Sequence, residues 1–190
     1  MKDAKPKPVP QPWYRSGLPE LRCGRLRLRE IRDDDAPALT VLFAQPEVSA
    51  HLSPPPATVE AFLDWIRLFQ AKRADGHATC YALIEEEDEP VGIFMSYRTD
   101  ANEPCAEIGF AMAPHLWGTG IFCATAQVFL DFLFAEWNVT SLIGRTLVRN
   151  HRALGAMRKL GGIIIEETQR DGKPELIWTI RRDEAYPSRP

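Results

Sequence analysis

The sequence predicts one domain of the α/β (α+β) class, with a mixed, mostly antiparallel central sheet of about six or seven strands and about four flanking helices. Three observations carry this. Apolar residues alternate with charged ones, or predominate over seven or eight residues, in segments bounded by turn residues. Elsewhere they recur at helical spacing behind recognisable caps. The two kinds of segment interleave in the order β, α, α, β, β, β, α, β, α, β, β over 190 residues, which places helices on both faces of one sheet.

The elements follow in order. Arg25 to Ile31 alternates charge and apolar side chain, the period of a half-buried strand. Asp33-Asp34-Asp35 offers a cap for a helix over Ala36 to Gln45, with Ala38, Leu39, Leu42 and Phe43 at helical spacing. Pro54-Pro55-Pro56 stiffens a loop before a second helix, capped by Thr58, that sets Phe62, Trp65, Ile66 and Phe69 on one face for core packing. Three apolar strands follow, Thr79 to Glu85, Pro90 to Tyr97 and Cys105 to Met112, with the acidic run Glu85 to Glu89 as a solvated hairpin tip. Gly118 to Trp137 reads as a long helix, Thr140 to Val148 as a strand and Asn150 to Leu160 as a shorter helix that stops at Gly161-Gly162. Strands Ile163 to Gln169 and Glu175 to Arg181 close the chain around an Asp171-Gly172 turn. The organisation is a proline- and lysine-rich extended arm over 1–19, a domain over 20–182 and a tail over 183–190.

Composition narrows the function. The four cysteines are far apart and form no CxxC pair, which leaves zinc and thioredoxin-type chemistry unsupported and fits reduced core residues of a cytoplasmic protein. No metal site is expected. The arm has no apolar core of a signal peptide, and the most apolar later stretch, Ile121 to Ala135, is interrupted by Gln127 and Asp131, so a soluble protein with no membrane partner is expected. A net charge of −3 gives no general attraction to nucleic acid, and an acidic surface is compatible with basic substrates such as amines. A homodimer is an open expectation, since nothing in the chain reads for or against one.

The segment from Phe110 to Phe122 packs a strand end, a glycine turn, Trp117-Gly118-Thr119-Gly120, and a helix start into thirteen residues. Glycines let the backbone approach a ligand closely, and the first amides of a helix have no intrahelical acceptor, so they are free to hold an anion. An ordinary turn before a helix is the alternative reading. Ile121-Phe122 excludes a P-loop, which requires Lys followed by Ser or Thr, and Cys123 stands where a dinucleotide fingerprint requires its third glycine.

Three segments together resemble the GNAT family of acetyl-CoA-dependent N-acetyltransferases, particularly its ribosomal-protein N-terminal acetyltransferases: Leu26-Arg-Leu-Arg-Glu-Ile-Arg-Asp-Asp-Asp-Ala36, the block from Glu107-Ile-Gly109 to Trp117-Gly-Thr-Gly120, and Asn150 to Gly161. The family's pyrophosphate motif falls on Trp117, Gly120 and Phe122, with only the glycine matched strictly. The resemblance implies that amides from Trp117 through Gly118, Thr119, Gly120 and Ile121 to Phe122 hold the pyrophosphate of acetyl-CoA, and that Met112 and its strand neighbours pair main chain with the pantetheine arm in a slot opened by two splayed strands. Asn150 matches the family's asparagine that contacts pantetheine or the acetyl region, a role that an N-cap role does not preclude. The implied reaction is direct attack of a primary amine, on a protein N-terminus or a small molecule, upon the thioester in a ternary complex.

Glu107 is the candidate base, because it lies on the strand leading into the loop, near the expected acetyl position. A structural carboxylate is the competing reading, and His115 and His151 are lesser candidates. The general acid is not visible. Met157 stands where many relatives carry Tyr, and Ala153 where some ribosomal-protein enzymes carry Ser. Water, Tyr97 or Tyr81 then protonates the thiolate, or the chain is a non-catalytic acyl-CoA-binding module.

Overall fold

The computed structural model describes residues 12–98, 104–137 and 139–182. Its centre is an eight-stranded sheet in the order β1-β2-β3-β4-β5-β6-β8-β7. The strands are β1 (Leu21–Cys23), β2 (Leu26–Glu30), β3 (Ala78–Ile84), β4 (Pro90–Arg98), β5 (Cys105–Met112), β6 (Ser141–Leu147), β7 (Ile163–Arg170) and β8 (Lys173–Arg181). Every pairing is antiparallel except β5 with β6. The helices are α1 (Trp13–Ser16), α2 (Ala36–Ala44), α3 (Pro46–Ser49), α4 (Val59–Ala74), α5 (Ile121–Glu136) and α6 (His151–Lys159).

The helices cover both faces, as the interleaved pattern predicts. On β3, where every residue is buried, Ala78 and Cys80 point into a core shared with α2, α3 and α4, while Tyr81 and Leu83 point into a second core under α5 and α6. Thr58 caps α4 as expected, its hydroxyl accepting the Ala61 amide at 3.2 Å.

Four differences have local causes. The sheet gains a strand because the three-residue β1 folds back on β2 at Gly24 (φ +59°), a segment too short to show alternation. The single-turn helices α1 and α3, which begin directly after Pro12 and at Pro46, raise the helix count from four to six. The long helix begins at Ile121 and not Gly118, since Gly118 and Gly120 hold φ of +76° and +84°. The acidic tip is ion-paired. Asp88 accepts from Arg27 (2.7 Å), Arg29 (3.0 Å) and Arg32, and Glu85 pairs with Arg25 at 2.6 Å.

The expected extended arm over 1–19 is corrected where it can be seen. Residues 1–11 and the tail from 183 lie outside the described residues, but Trp13 is buried edge-on against Phe132 and Trp137, with its indole donating to the Glu136 carbonyl. A large amphipathic ring finds more favourable contact there than in a solvated arm.

Candidate active site

Strands β5 and β6 pair only from Cys105 with Ser141 to Ile108 with Gly144, then part. Each continues on its outer side: β5 bonds β4 as far as Met112, and β6 bonds β8 as far as Leu147. Ladder bonds alternate sides along a strand. The Ala113 amide donates to Val91 (2.8 Å), so residues 107, 109 and 111 face β4 and the main-chain groups of Phe110 and Met112 face the gap. The Met112 carbonyl accepts the Trp117 indole N–H at 3.0 Å. The remaining main-chain donors and acceptor there are an open sheet edge inside the fold, a place where an extended ligand can add as a strand.

One cavity, about 410 Å³, lies on the loop side of the gap. Met112, Trp117, Gly118, Gly120, Phe122 and Asn150 line it. Among the described residues, the amides of Gly118, Thr119, Gly120, Phe122 and Cys123 meet no acceptor, and that of Ile121 meets only the Thr119 hydroxyl, at 3.4 Å. Thr119 is itself anchored, donating to the Leu116 carbonyl at 2.7 Å. No atom lies within 4 Å of where a Cβ would stand on Gly118 or Gly120, so the turn leaves open space above its amides. This is the geometry of a helix-terminal anion site. The Phe122 ring packs on Phe110 at 4.5 Å between centroids and on Phe94 at 5.9 Å, which gives the bulky residue a packing role. The Arg152 guanidinium sits 4.5 Å over the Trp117 ring, and Lys159 also lines the cavity.

A second cavity, about 680 Å³, lies on the opposite side of the gap and is walled by α2, α4, β4 and β5. Glu107 lines it with its side chain 17% exposed, accepting from Arg145 Nε at 3.2 Å and from the Tyr97 hydroxyl. Burial, then the bond to the Glu107 carboxylate, pushes the Tyr97 hydroxyl well above the ordinary tyrosine value. Arg145 continues to Glu175 (3.8 Å) and Glu175 to Arg170 (3.1 Å), so Glu107 ends a charged chain along the cavity floor. Met157 is buried beneath it, leaving Gly144 no room for a Cβ: the Met157 methyl would be 2.6 Å away.

The two cavities share His51, Leu52, Phe110, Ala111, Asn150 and Ala153. Of these only His51 titrates. Its buried Nδ1 has no hydrogen-bond partner among the described residues. Burial, reinforced by Arg149, Arg152 and His151, lowers its pKa from the ordinary 6.5 and keeps the imidazole neutral at pH 7.

The structure therefore brings Glu107, Asn150 and the glycine loop around one gap. Asn150 caps α6, its Oδ1 accepting the Ala153 amide at 3.1 Å, and also lines both cavities. Thr119 and Ile121 belong to the loop but line neither cavity. His151 borders the first cavity, whereas His115 turns away to Glu85 at 3.1 Å. Tyr81 is buried between Phe129 and Phe132 and lines neither cavity, which removes it as a proton donor. Sequence reasoning missed His51 and Arg145. Neither sits in a motif, and only the tertiary fold brings them to the gap. No group of three His, Cys, Asp or Glu side chains suited to a metal occurs among the described residues, and no helix there is long and apolar enough to cross a membrane.

Comparison with known proteins is consistent with this geometry. The sequence model of the acetyltransferase (GNAT) domain matches residues 25–163. An uncharacterized N-acetyltransferase, p20, of Bacillus licheniformis is 26% identical over 138 residues, covering 72% of this chain and 78% of that one. Among solved structures, the ribosomal-protein-S5-alanine acetyltransferase of Vibrio fischeri superimposes with a TM-score of 0.76 at 15% identity, over 88% of this chain and 99% of that one. RimJ of Mycobacterium smegmatis, solved with CoA-disulfide, gives 0.75 at 19% identity over 87% of each chain. At these identities the two structures speak for the fold.

Proposed function

The chain belongs to the GNAT acetyltransferase family and is an acyltransferase, and from that premise we propose that it moves an acetyl group from acetyl-CoA to a primary amine, on a protein N-terminus or a small molecule, by direct attack with both substrates bound. The observation that carries this reading is the parting of β5 and β6, which joins a cavity lined by free amides to one holding a carboxylate.

Acetyl-CoA supplies the activated carbonyl. The amides of Gly118 to Cys123 hold its pyrophosphate, and Phe110 and Met112 pair with its pantetheine arm, extending β5 as a strand would. Asn150 uses its cap to stay oriented and offers its free Nδ2 to the arm. Glu107 takes a proton from the acceptor ammonium, directly or through one water, and Arg145 and Tyr97 hold its carboxylate in place.

A second proton must leave nitrogen as the C–N bond forms, and one must reach sulfur as the C–S bond breaks. His51 borders both cavities, and its neutral ring is our candidate for both transfers. It accepts the proton from nitrogen and delivers it to the departing sulfur, ending neutral as it began. This assigns the thiolate's proton without the tyrosine that Met157 replaces.

The test is CoA release with an amine panel for wild type and Glu107→Gln. A fall in kcat of about 10²–10⁴ with acetyl-CoA affinity unchanged is expected for loss of a positioned base. Full activity in the variant would remove Glu107 from the reaction, and wild-type binding without turnover of any amine would remove the transfer reading.

A further inference from the structure

The acceptor cavity also carries information about what enters it. Resting on the reading above, we propose that the acceptor is a singly charged primary amine with an aromatic or bulky aliphatic body, and not a polyamine or other polycation.

The wall facing Glu107 is apolar and rigid. Phe43, Phe62, Trp65, Ile93 and Met95 line it, drawn from two helices and one strand. Phe43 and Phe62 meet at 5.5 Å between centroids, Phe62 and Trp65 at 6.2 Å, and Trp65 is held from behind by Phe69 at 4.5 Å. Phe62 itself is 1% exposed. The partly exposed Trp65 thus presents a fixed ring to the opening, and interlocked rings give an entering apolar body contact at little entropic cost.

Charge decides the rest. Among the described residues Glu107 is the only carboxylate lining the cavity, and it already accepts from Arg145 and Tyr97. The other charged lining groups are Arg145 and Arg170, with the neutral ring of His51 beside them. One ammonium finds Glu107. A second would meet either the aromatic wall, with its hydration lost, or the guanidinium groups of Arg145 and Arg170. One ring can compensate part of that desolvation by a cation–π contact, but Arg145 and Arg170 already take up the carboxylates of Glu107 and Glu175, and among the described residues the lining offers no further carboxylate to a second ammonium. A monoamine with an apolar body leaves no charge unmatched.

The same chemistry is found in a small amine and in a peptide whose first side chain is large and apolar, so the test includes both. With the 190-residue chain and saturating acetyl-CoA, initial rates of CoA release are compared for 2-phenylethylamine, a Phe-initiated peptide, a Ser-initiated peptide and spermidine. In parallel, tryptophan fluorescence reports binding of each amine in the presence of CoA. The expected kcat/KM for 2-phenylethylamine or the Phe-initiated peptide exceeds that for spermidine and the Ser-initiated peptide by about tenfold or more, the size of discrimination an apolar pocket supplies. Which of the two favoured acceptors is better identifies the source. Trp65→Ala raises KM for them about tenfold with kcat nearly unchanged, and Trp65→Phe restores most of it. Spermidine used or bound as well as 2-phenylethylamine overturns the inference, as does an unchanged KM in Trp65→Ala. Preferential binding of 2-phenylethylamine without turnover of any amine would overturn the transfer reading alone and uphold this one.

Discussion

The two cavities that meet at the gap are built by different means. The carrier side is organised around backbone: Met112 contributes a sheet edge, and Gly118 to Cys123 contribute two glycines of positive φ and amides without backbone acceptors. The acceptor side is made of side chains gathered from Phe43 to Arg170, no two of the decisive ones in one motif. A site that uses main-chain amides tolerates almost any side chain except at its glycines. A site made of side chains is free to change with the acceptor.

Substitutions at the loop, at the junction and away from both should separate these parts. Of these three, Gly120→Val has the largest expected effect. A β-branched residue at φ +84° disfavours the turn that aligns several amides, each contributing ~0.3–1 kcal/mol to an anion, so acetyl-CoA affinity should fall roughly 10²-fold by calorimetry. Nothing lies within 4 Å of the new Cβ, so the cost to folding is backbone strain alone, on the order of 1–2 kcal/mol, and the protein remains folded. Unchanged affinity would detach the loop from the carrier.

His51→Gln is expected to act on both sides through the proton alone, lowering kcat about tenfold at neutral pH while both KM values hold, because water replaces a shuttle in part. The sign in pH follows from the lowered pKa. The working ring starts neutral, so wild-type kcat falls as pH drops through a value below 6.5, and the variant lacks that limb. Burial lowers the value first, then the charges of Arg149, Arg152 and His151, while Arg170 touches only the His51 carbonyl, at 2.9 Å. An unaltered pH profile would leave His51 a wall residue.

The smallest effect belongs to Asp88→Asn, at the hairpin tip remote from both cavities. Hydrogen bonds from Arg29 and Arg32 hold the Asp88 carboxyl well below its ordinary 3.8. A depressed acid contributes stability above its unfolded value and loses it as pH falls toward the folded one. The variant should therefore melt slightly lower than wild type at pH 7, and the difference should shrink below about 3.8 in thermal scans, with carrier affinity and turnover unchanged.

How far the sequence foretold the molecule follows the same division. Strand and helix identity was legible wherever periodicity ran for a full element, from Arg25–Ile31 to Glu175–Arg181. It was not legible in Leu21–Cys23, Trp13–Ser16 and Pro46–Ser49, which are too short to show a period. Gly118 and Gly120 announced the loop because only glycine takes such φ values cheaply. Glu107 could be picked out by its nearness to that loop. Its bonds to Arg145 and Tyr97 could not, because they depend on strand register: Glu107 opposes Tyr97 on β4 and Ile143 on β6, two residues before Arg145. His51 was invisible for a stronger reason, since it lies in a loop after α3 and reaches the junction only through tertiary packing.

The central claim is that backbone amides along one bend and one strand edge hold the acyl carrier. Amide chemical shifts of the ¹⁵N-labelled protein, titrated with acetyl-CoA, read those groups individually. The account predicts the largest perturbations at Phe110, Met112 and Gly118 to Cys123, with the outer strand β7 unmoved. Saturable binding that leaves those amides unchanged, or no binding by the folded protein, would contradict it.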